Sequence, residues 1–223
     1  MLSIPFFDDR ADAGEKLAEA VLGELGKLNL TPQDAVKPIV YALPRGGLPV
    51  AVPVARRLGC PLDVVVAKKI TRPDNLELAI GAVTADGHVV WQKQKQQNLG
   101  WQKSALDRAQ DNAQSLLADL SPGRPNVSAA GALAILVDDG IATGMTVAVA
   151  AQALRAQQPA ALWICAPVAP ADLMGFLAQM GDKLIILETP DPFYSVSRFY
   201  AEFPQVETAE ALVCLQRQIE WRS

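Results

Sequence analysis

The stretch Leu133-Ala-Ile-Leu-Val-Asp138-Asp139-Gly140-Ile141-Ala142-Thr143-Gly144-Met145-Thr146 decides how the rest of the chain is read. Five apolar residues end in two adjacent carboxylates, a short Gly/Thr loop follows, and an alanine-rich helical pattern follows the loop. The order predicts a buried strand over 133–138, an acidic pair, a phosphate-binding loop and a helix over about 145–157. Paired carboxylates accept hydrogen bonds from vicinal hydroxyls. Bare backbone N–H groups at a helix N-terminus hold a phosphate. A sugar phosphate with free 2- and 3-hydroxyls meets both requirements at once. An ordinary strand-to-helix turn needs one capping residue, not two acids and a further Thr-Gly-x-Thr.

This stretch resembles the binding loop of type I phosphoribosyltransferases, in which four apolar residues and two acids precede a loop ending Thr-Gly-x-Thr. Asp138-Asp139 and Thr143-Gly144-Met145-Thr146 keep that spacing. The resemblance implies that the chain uses 5-phosphoribosyl 1-pyrophosphate (PRPP). The 5-phosphate is then expected on Ala142, Thr143, Gly144, Met145 and Thr146, and the ribose hydroxyls on Asp138 and Asp139, the catalytic candidates. Two neighbouring acids repel each other, so a cation is expected with them. Mg²⁺ suits oxygen ligands and phosphates, and the resemblance implies that it travels with the substrate.

The second group, Leu43-Pro44-Arg45-Gly46-Gly47, resembles the family's pyrophosphate loop. Two glycines would expose backbone N–H groups and Arg45 would add a cation. The resemblance implies a cis peptide between Pro44 and Arg45. Taken alone, the tetrapeptide is equally a plain tight turn. Lys68-Lys69 opens a polar stretch to Glu77, expected as a loop, which in the family is mobile and closes over the reaction centre. Lys69 joins the pyrophosphate candidates, with a solvated surface pair as the alternative. The aromatic segment Thr189–Tyr200 takes the place of the family's hood, where the acceptor is held. Phe193, Tyr194, Phe199 and Tyr200 are acceptor-stacking candidates, or the hood's own small core. Asn75–Val83 and Phe7–Gly14 also resemble segments of bacterial phosphoribosyltransferase-like proteins.

The rest of the chain reads as alternating strands and helices: a helix over 9–28 with Leu17, Val21, Leu25 and Leu28 on one face, a strand at 39–43, a helix at 48–58 with Pro53 awkward inside it, and a strand at 62–67. A hairpin at 79–91 turns at Ala85-Asp86-Gly87. A polar helix over 101–119, strands at 161–165 and 183–187, and helices at 170–180 and 207–219 complete the pattern. This is an α/β chain with a mostly parallel twisted sheet, helices on both faces and a small C-terminal hood over about 189–204. Residues 1–223 form one domain, with a flexible loop and hairpin at about 68–100. Ligands of such sheets bind at the carboxyl ends of the strands.

Composition narrows the function classes. The 223 residues are half hydrophobic and carry a net charge of −4, which argues against general nucleic-acid binding. Cys60, Cys165 and Cys214 lie far apart and read as small hydrophobes in a reducing compartment. The opening residues lack a basic signal-peptide region, and the apolar stretch around 160–180 is broken by Pro167, Pro170 and Asp172. A cytoplasmic protein without a membrane span is expected. His88, the sole histidine, has no nucleophile or acid pattern beside it and reads as structural.

The expected activity is phosphoribosyl transfer to a nitrogenous acceptor, a nucleobase by class, with release of pyrophosphate. By resemblance alone, a homodimer is expected. The residue before Thr-Gly is Ala142, where 6-oxopurine enzymes usually carry Asp, so hypoxanthine and guanine are disfavoured. The rival is a PRPP-sensing regulatory protein that binds without transferring.

Overall fold

The computed structural model describes residues 5–27, 36–92 and 100–222. Its centre is a five-stranded parallel sheet in the order β2-β1-β6-β7-β8. The strands are β1 (Pro38–Ala42), β2 (Leu62–Val64), β6 (Leu133–Val137), β7 (Ala161–Val168) and β8 (Lys183–Glu188). β6 is buried along its whole length, as a strand covered on both faces must be. Burying Ile135 or Leu136 contributes about 1.5–3 kcal/mol each before entropy is counted. Alternate β6 residues feed two cores: Leu133, Ile135 and Val137 face one, Ala134 and Leu136 the other.

The first core is covered by α1 (Arg10–Gly26), α2 (Gly47–Leu58) and α6 (Thr208–Gln216), with Leu17, Val21, Leu48 and Leu215 packed inside. Leu28, expected on the same face of α1, lies outside the described residues. α2 runs through Pro53 without ending there. The second core is covered by α4 (Met145–Ala156), whose Val147, Ala150 and Leu154 lie against β6 and β7.

Residues 67–91 depart from the sequence reading. The expected strand at 62–67 divides: β2 ends at Val64, and Ala67 starts β3 (Ala67–Arg72) in a different sheet. The polar stretch 68–77 is paired backbone, not a loop. β3 lies antiparallel to β4 (Asn75–Thr84), and β4 to β5 (Val89–Trp91), the last pairing as the hairpin expectation had it. One face of this small sheet puts Ile70, Ile80 and Val83 against Ala105 and Ala109 of α3 (Trp101–Leu120). Residues 93–99, which include most of the Gln/Lys-rich run at 92–97, lie outside the described residues.

Two C-terminal expectations also change. Residues 170–180 contain only a 3₁₀ turn and the four-residue α5 (Met174–Leu177). The helix expected over 207–219 ends earlier: α6 gives way to a 3₁₀ turn at Arg217, which leaves Ile219 77% exposed. The hood stays irregular apart from a 3₁₀ turn at Val196–Phe199 and is tied to the N-terminus by a Phe7–Tyr200 bridge. All three cysteines are free. Among the described residues no helix is long and apolar enough to cross a membrane.

Candidate functional site

The register brings the two signature loops together. Ala42 of β1 pairs with Val137 of β6, and the Leu43 amide donates to the Val137 carbonyl at 2.8 Å. The Pro44–Gly47 turn and the Asp138–Thr146 loop therefore leave neighbouring strands at the same end of the sheet, where such folds bind ligands.

Asp138 and Asp139 face the glycine turn. A β-carbon on Gly46 would overlap Asp139 Oδ2, and one on Gly47 would lie 2.9 Å from the Val137 carbonyl and 3.5 Å from Asp138 Oδ1. The peptide between Pro44 and Arg45 is cis. Gly47 does not expose its amide as expected, because that N–H donates to the Leu43 carbonyl at 3.0 Å. Close approach explains this glycine, not anion binding by its own N–H.

The two acids are not equivalent. Asp138 Oδ1 accepts the Asp139 amide at 2.9 Å. Burial holds the Asp138 carboxyl well above the usual carboxylate range, and the neighbouring Asp139 charge adds to this. Burial raises Asp139 as well, against the opposing pull of Arg10. Arg10 Nε donates to Asp139 Oδ2 at 2.8 Å, and its Nη1 donates to the Pro204 carbonyl at 2.7 Å. The Tyr200 hydroxyl donates to the Asp139 carbonyl at 2.6 Å.

Cations gather opposite. Arg45 Nη1 donates to Thr208 Oγ1 at 3.2 Å and lies 3.7 Å from Glu207 Oε2, so it is oriented by the start of α6. Lys68 is half-buried, and burial together with the Arg45 charge holds its ammonium below the ordinary range. Lys69 is exposed, and its charge acts on Asp138. Both lysines lie on β3 rather than on a loop.

The phosphate-loop candidates sit at the head of α4. Ala142 and Thr143 are exposed, and Thr146 is half-buried. Gly144 turns the chain with φ 71°, a conformation that glycine adopts without penalty. Met145 begins the helix with its side chain in the core. No side chain caps this terminus and its first turn holds no acid, so its amides and dipole are available to an anion.

A cleft of about 820 Å³ opens beside Ala142 and Thr143, walled by Pro170, Asp172, Phe193 and Tyr194 among others. Of the aromatic candidates, Phe193 and Tyr194 reach it. Phe199 does not belong to its lining. It is 5% exposed in the hood core, stacked on Phe6 with ring centroids 5.5 Å apart. His88 stays on the β4–β5 turn, its Nδ1 3.2 Å from Asp86 Oδ1. Among the described residues no three His, Cys, Asp or Glu side chains are grouped to hold a metal ion.

Sequence reading missed the roles of Arg10, Tyr200 and Phe203. Arg10 meets Asp139 across 129 residues, and no local pattern announces such a contact. The Phe7–Gly14 stretch was noticeable only by its resemblance.

Comparison with known proteins places the chain in a family. Residues 11–175 match the family model described as phosphoribosyl transferase domain. The chain is 35% identical over 215 residues to a Mycobacterium tuberculosis protein named "Putative phosphoribosyl transferase", found in two strains, with 95% of this chain covered. It spans 46% of the length of those curated relatives. The crystal structure of TT1426 from Thermus thermophilus superposes with a TM-score of 0.77 at 32% identity, covering 97% of this chain and 99% of that one. The chain belongs to the phosphoribosyl transferase family.

Proposed function

We propose that this chain binds PRPP between the Asp138–Thr146 loop and the Pro44–Gly47 turn and transfers its phosphoribosyl group to a nitrogenous acceptor, a nucleobase by class. The observation that carries this reading is the meeting of three features at one sheet end: an acid pair, a glycine turn packed against it, and an uncapped helix start. The 5-phosphate would rest on Ala142–Thr146, where the helix field adds about 0.3–1 kcal/mol. Hydroxyls donating to carboxylates contribute about 1.5–3 kcal/mol each. Arg45, Gly46 and Lys69 would face the pyrophosphate, with Lys68 beside them.

In the reaction, an acceptor nitrogen forms a bond to the anomeric carbon. The bond from that carbon to the pyrophosphate oxygen breaks, and its electron pair leaves with pyrophosphate. The acceptor nitrogen gives up its proton to solvent. Positive charge develops on the sugar, and carboxylates already fixed nearby stabilise it. Phe193 and Tyr194 would stack on a planar acceptor in the adjoining cleft.

The donor set suits Mg²⁺ carried by the substrate. Asp139 already shares one oxygen with Arg10, so the protein offers few free carboxylate oxygens and the phosphates would supply the rest. When bound, the ion would neutralise charge on the leaving pyrophosphate.

Incubation with PRPP, Mg²⁺ and a panel of bases, followed by pyrophosphate detection, tests the proposal. Acceptor-dependent release is the expected result. PRPP binding with no release for any acceptor would replace transfer with sensing.

A further inference from the structure

Asp139 is held from two sides by residues outside the family-matched segment 11–175. On one side stands Arg10, the first residue of α1, on the other Tyr200, Phe203 and Pro204, which follow the hood turn. Arg10 makes three contacts at once. Its Nε reaches the Asp139 carboxylate at 2.8 Å, its Nη1 reaches the Pro204 carbonyl at 2.7 Å, and its guanidinium carbon lies 3.6 Å from the Phe203 ring centroid. The Arg10 and Asp139 side chains are only 10% and 15% exposed. Tyr200 completes the grip through the Asp139 carbonyl at 2.6 Å.

A planar fork with several fixed donors can bridge two acceptors and stack on a ring simultaneously, and an ammonium cannot. The grip bears on the acid whose carboxylate packs directly against Gly46 of the glycine turn. We propose that Arg10 is a positioning residue of the PRPP site: through its bridge to Pro204 and Phe203, and with Tyr200, it fixes Asp139 for the ribose. This rests on the PRPP reading above. Asp138 is held differently, its Oδ1 accepting the Asp139 amide at 2.9 Å.

Calorimetric titration of the full chain with PRPP and Mg²⁺ tests it, with thermal midpoints measured alongside. Arg10→Lys is expected to weaken PRPP binding about tenfold. Tyr200→Phe, which keeps the ring and removes only the donor to Asp139, is expected to weaken it about threefold and serves if Arg10→Lys does not fold. Phe199→Leu loosens the same hood core without contacting Asp139. It should lower the midpoint and change affinity less than about twofold. Unchanged affinity in a folded Arg10→Lys or in Tyr200→Phe would overturn the proposal, and so would an equal loss in Phe199→Leu. Failure of the wild-type chain to bind PRPP would instead overturn the PRPP reading itself.

Discussion

The Asp139 carboxylate occupies the place where a side chain on Gly46 would begin, its Oδ2 overlapping that position. Gly46 has φ −61° and ψ −33°, which any residue adopts. The glycine is therefore required by contact, not by backbone conformation. Asp139 cannot swing aside without leaving Arg10. Gly46→Ala is expected to cost about 1–3 kcal/mol by overpacking, lowering the thermal midpoint by about 2–4 °C per kcal/mol in a chain of this size. PRPP affinity should fall at least about tenfold, because a shift that relieves the clash moves either the acid or the turn. A folded Gly46→Ala protein with wild-type PRPP affinity would show that these loops do not share a ligand.

The two acids give the ligand-free protein a distinctive pH dependence. Asp138 has its proton affinity raised by burial and by Asp139. In the unfolded chain it titrates near its ordinary value, about 4. Above that pH, the folded protein holds a proton that the unfolded chain has lost. Its contribution to stability is full below about pH 4 and is lost as pH rises through the raised value. Asp138→Asn cannot ionise and lacks this loss. Its melting temperature should exceed that of the wild type at pH 8 and converge with it near pH 4, while PRPP binding is impaired throughout. Parallel melting curves across this range would remove the assigned burial effect.

The central sheet was legible because its strands are short apolar runs ended by turn residues, and burial on both faces leaves no alternation to misread. The loop between β6 and α4 was legible for a related reason: acids, glycine and threonines keep a fixed local spacing. The β3–β4 pair was not. Lys68, Lys69 and Arg72 look like loop residues, and what makes them a strand is pairing with 75–84 and packing of Ile70 on α3. β-propensity depends on such neighbours. The same limit hid Arg10, whose partners Asp139 and Pro204 are brought to it only by the completed fold. Phe193, Tyr194 and Phe199 could be named together from sequence, but only the packing divides them into cleft wall and hood core.

A second buried ion pair is structural. Asp63, fully buried on β2, accepts Arg124 Nε and, through its other oxygen, the Val127 amide at 3.0 Å. It ties the chain after α3 to the sheet. Arg124→Met would strand a buried carboxylate and is expected to destabilise by about 3–5 kcal/mol. Adding Asp63→Asn should recover part of this, because the neutral amide still offers an oxygen to the Val127 N–H. Urea denaturation of the single and double variants measures both. A double variant less stable than Arg124→Met would refute the charge explanation.

Tyr194 and Phe199 separate the cleft wall from the hood core. Tyr194 is 71% exposed at the cleft, with the Arg198 guanidinium 5.0 Å from its ring centroid. Phe199 is enclosed between Phe6 and Phe193, with centroids 5.5 and 5.2 Å away. Phe199→Ala should cost about 3–5 kcal/mol through the lost burial and the cavity left behind. Tyr194→Ala should stay within about 0.5 kcal/mol of wild type. If Tyr194 stacks on a planar acceptor, its loss removes about 0.5–1.5 kcal/mol of binding, a rise in acceptor KM of about two- to tenfold with PRPP affinity unchanged. Steady-state kinetics at saturating PRPP reads the first effect and calorimetry the second. An acceptor KM that does not move would take Tyr194 out of the acceptor site and leave Phe193 as the aromatic wall to test.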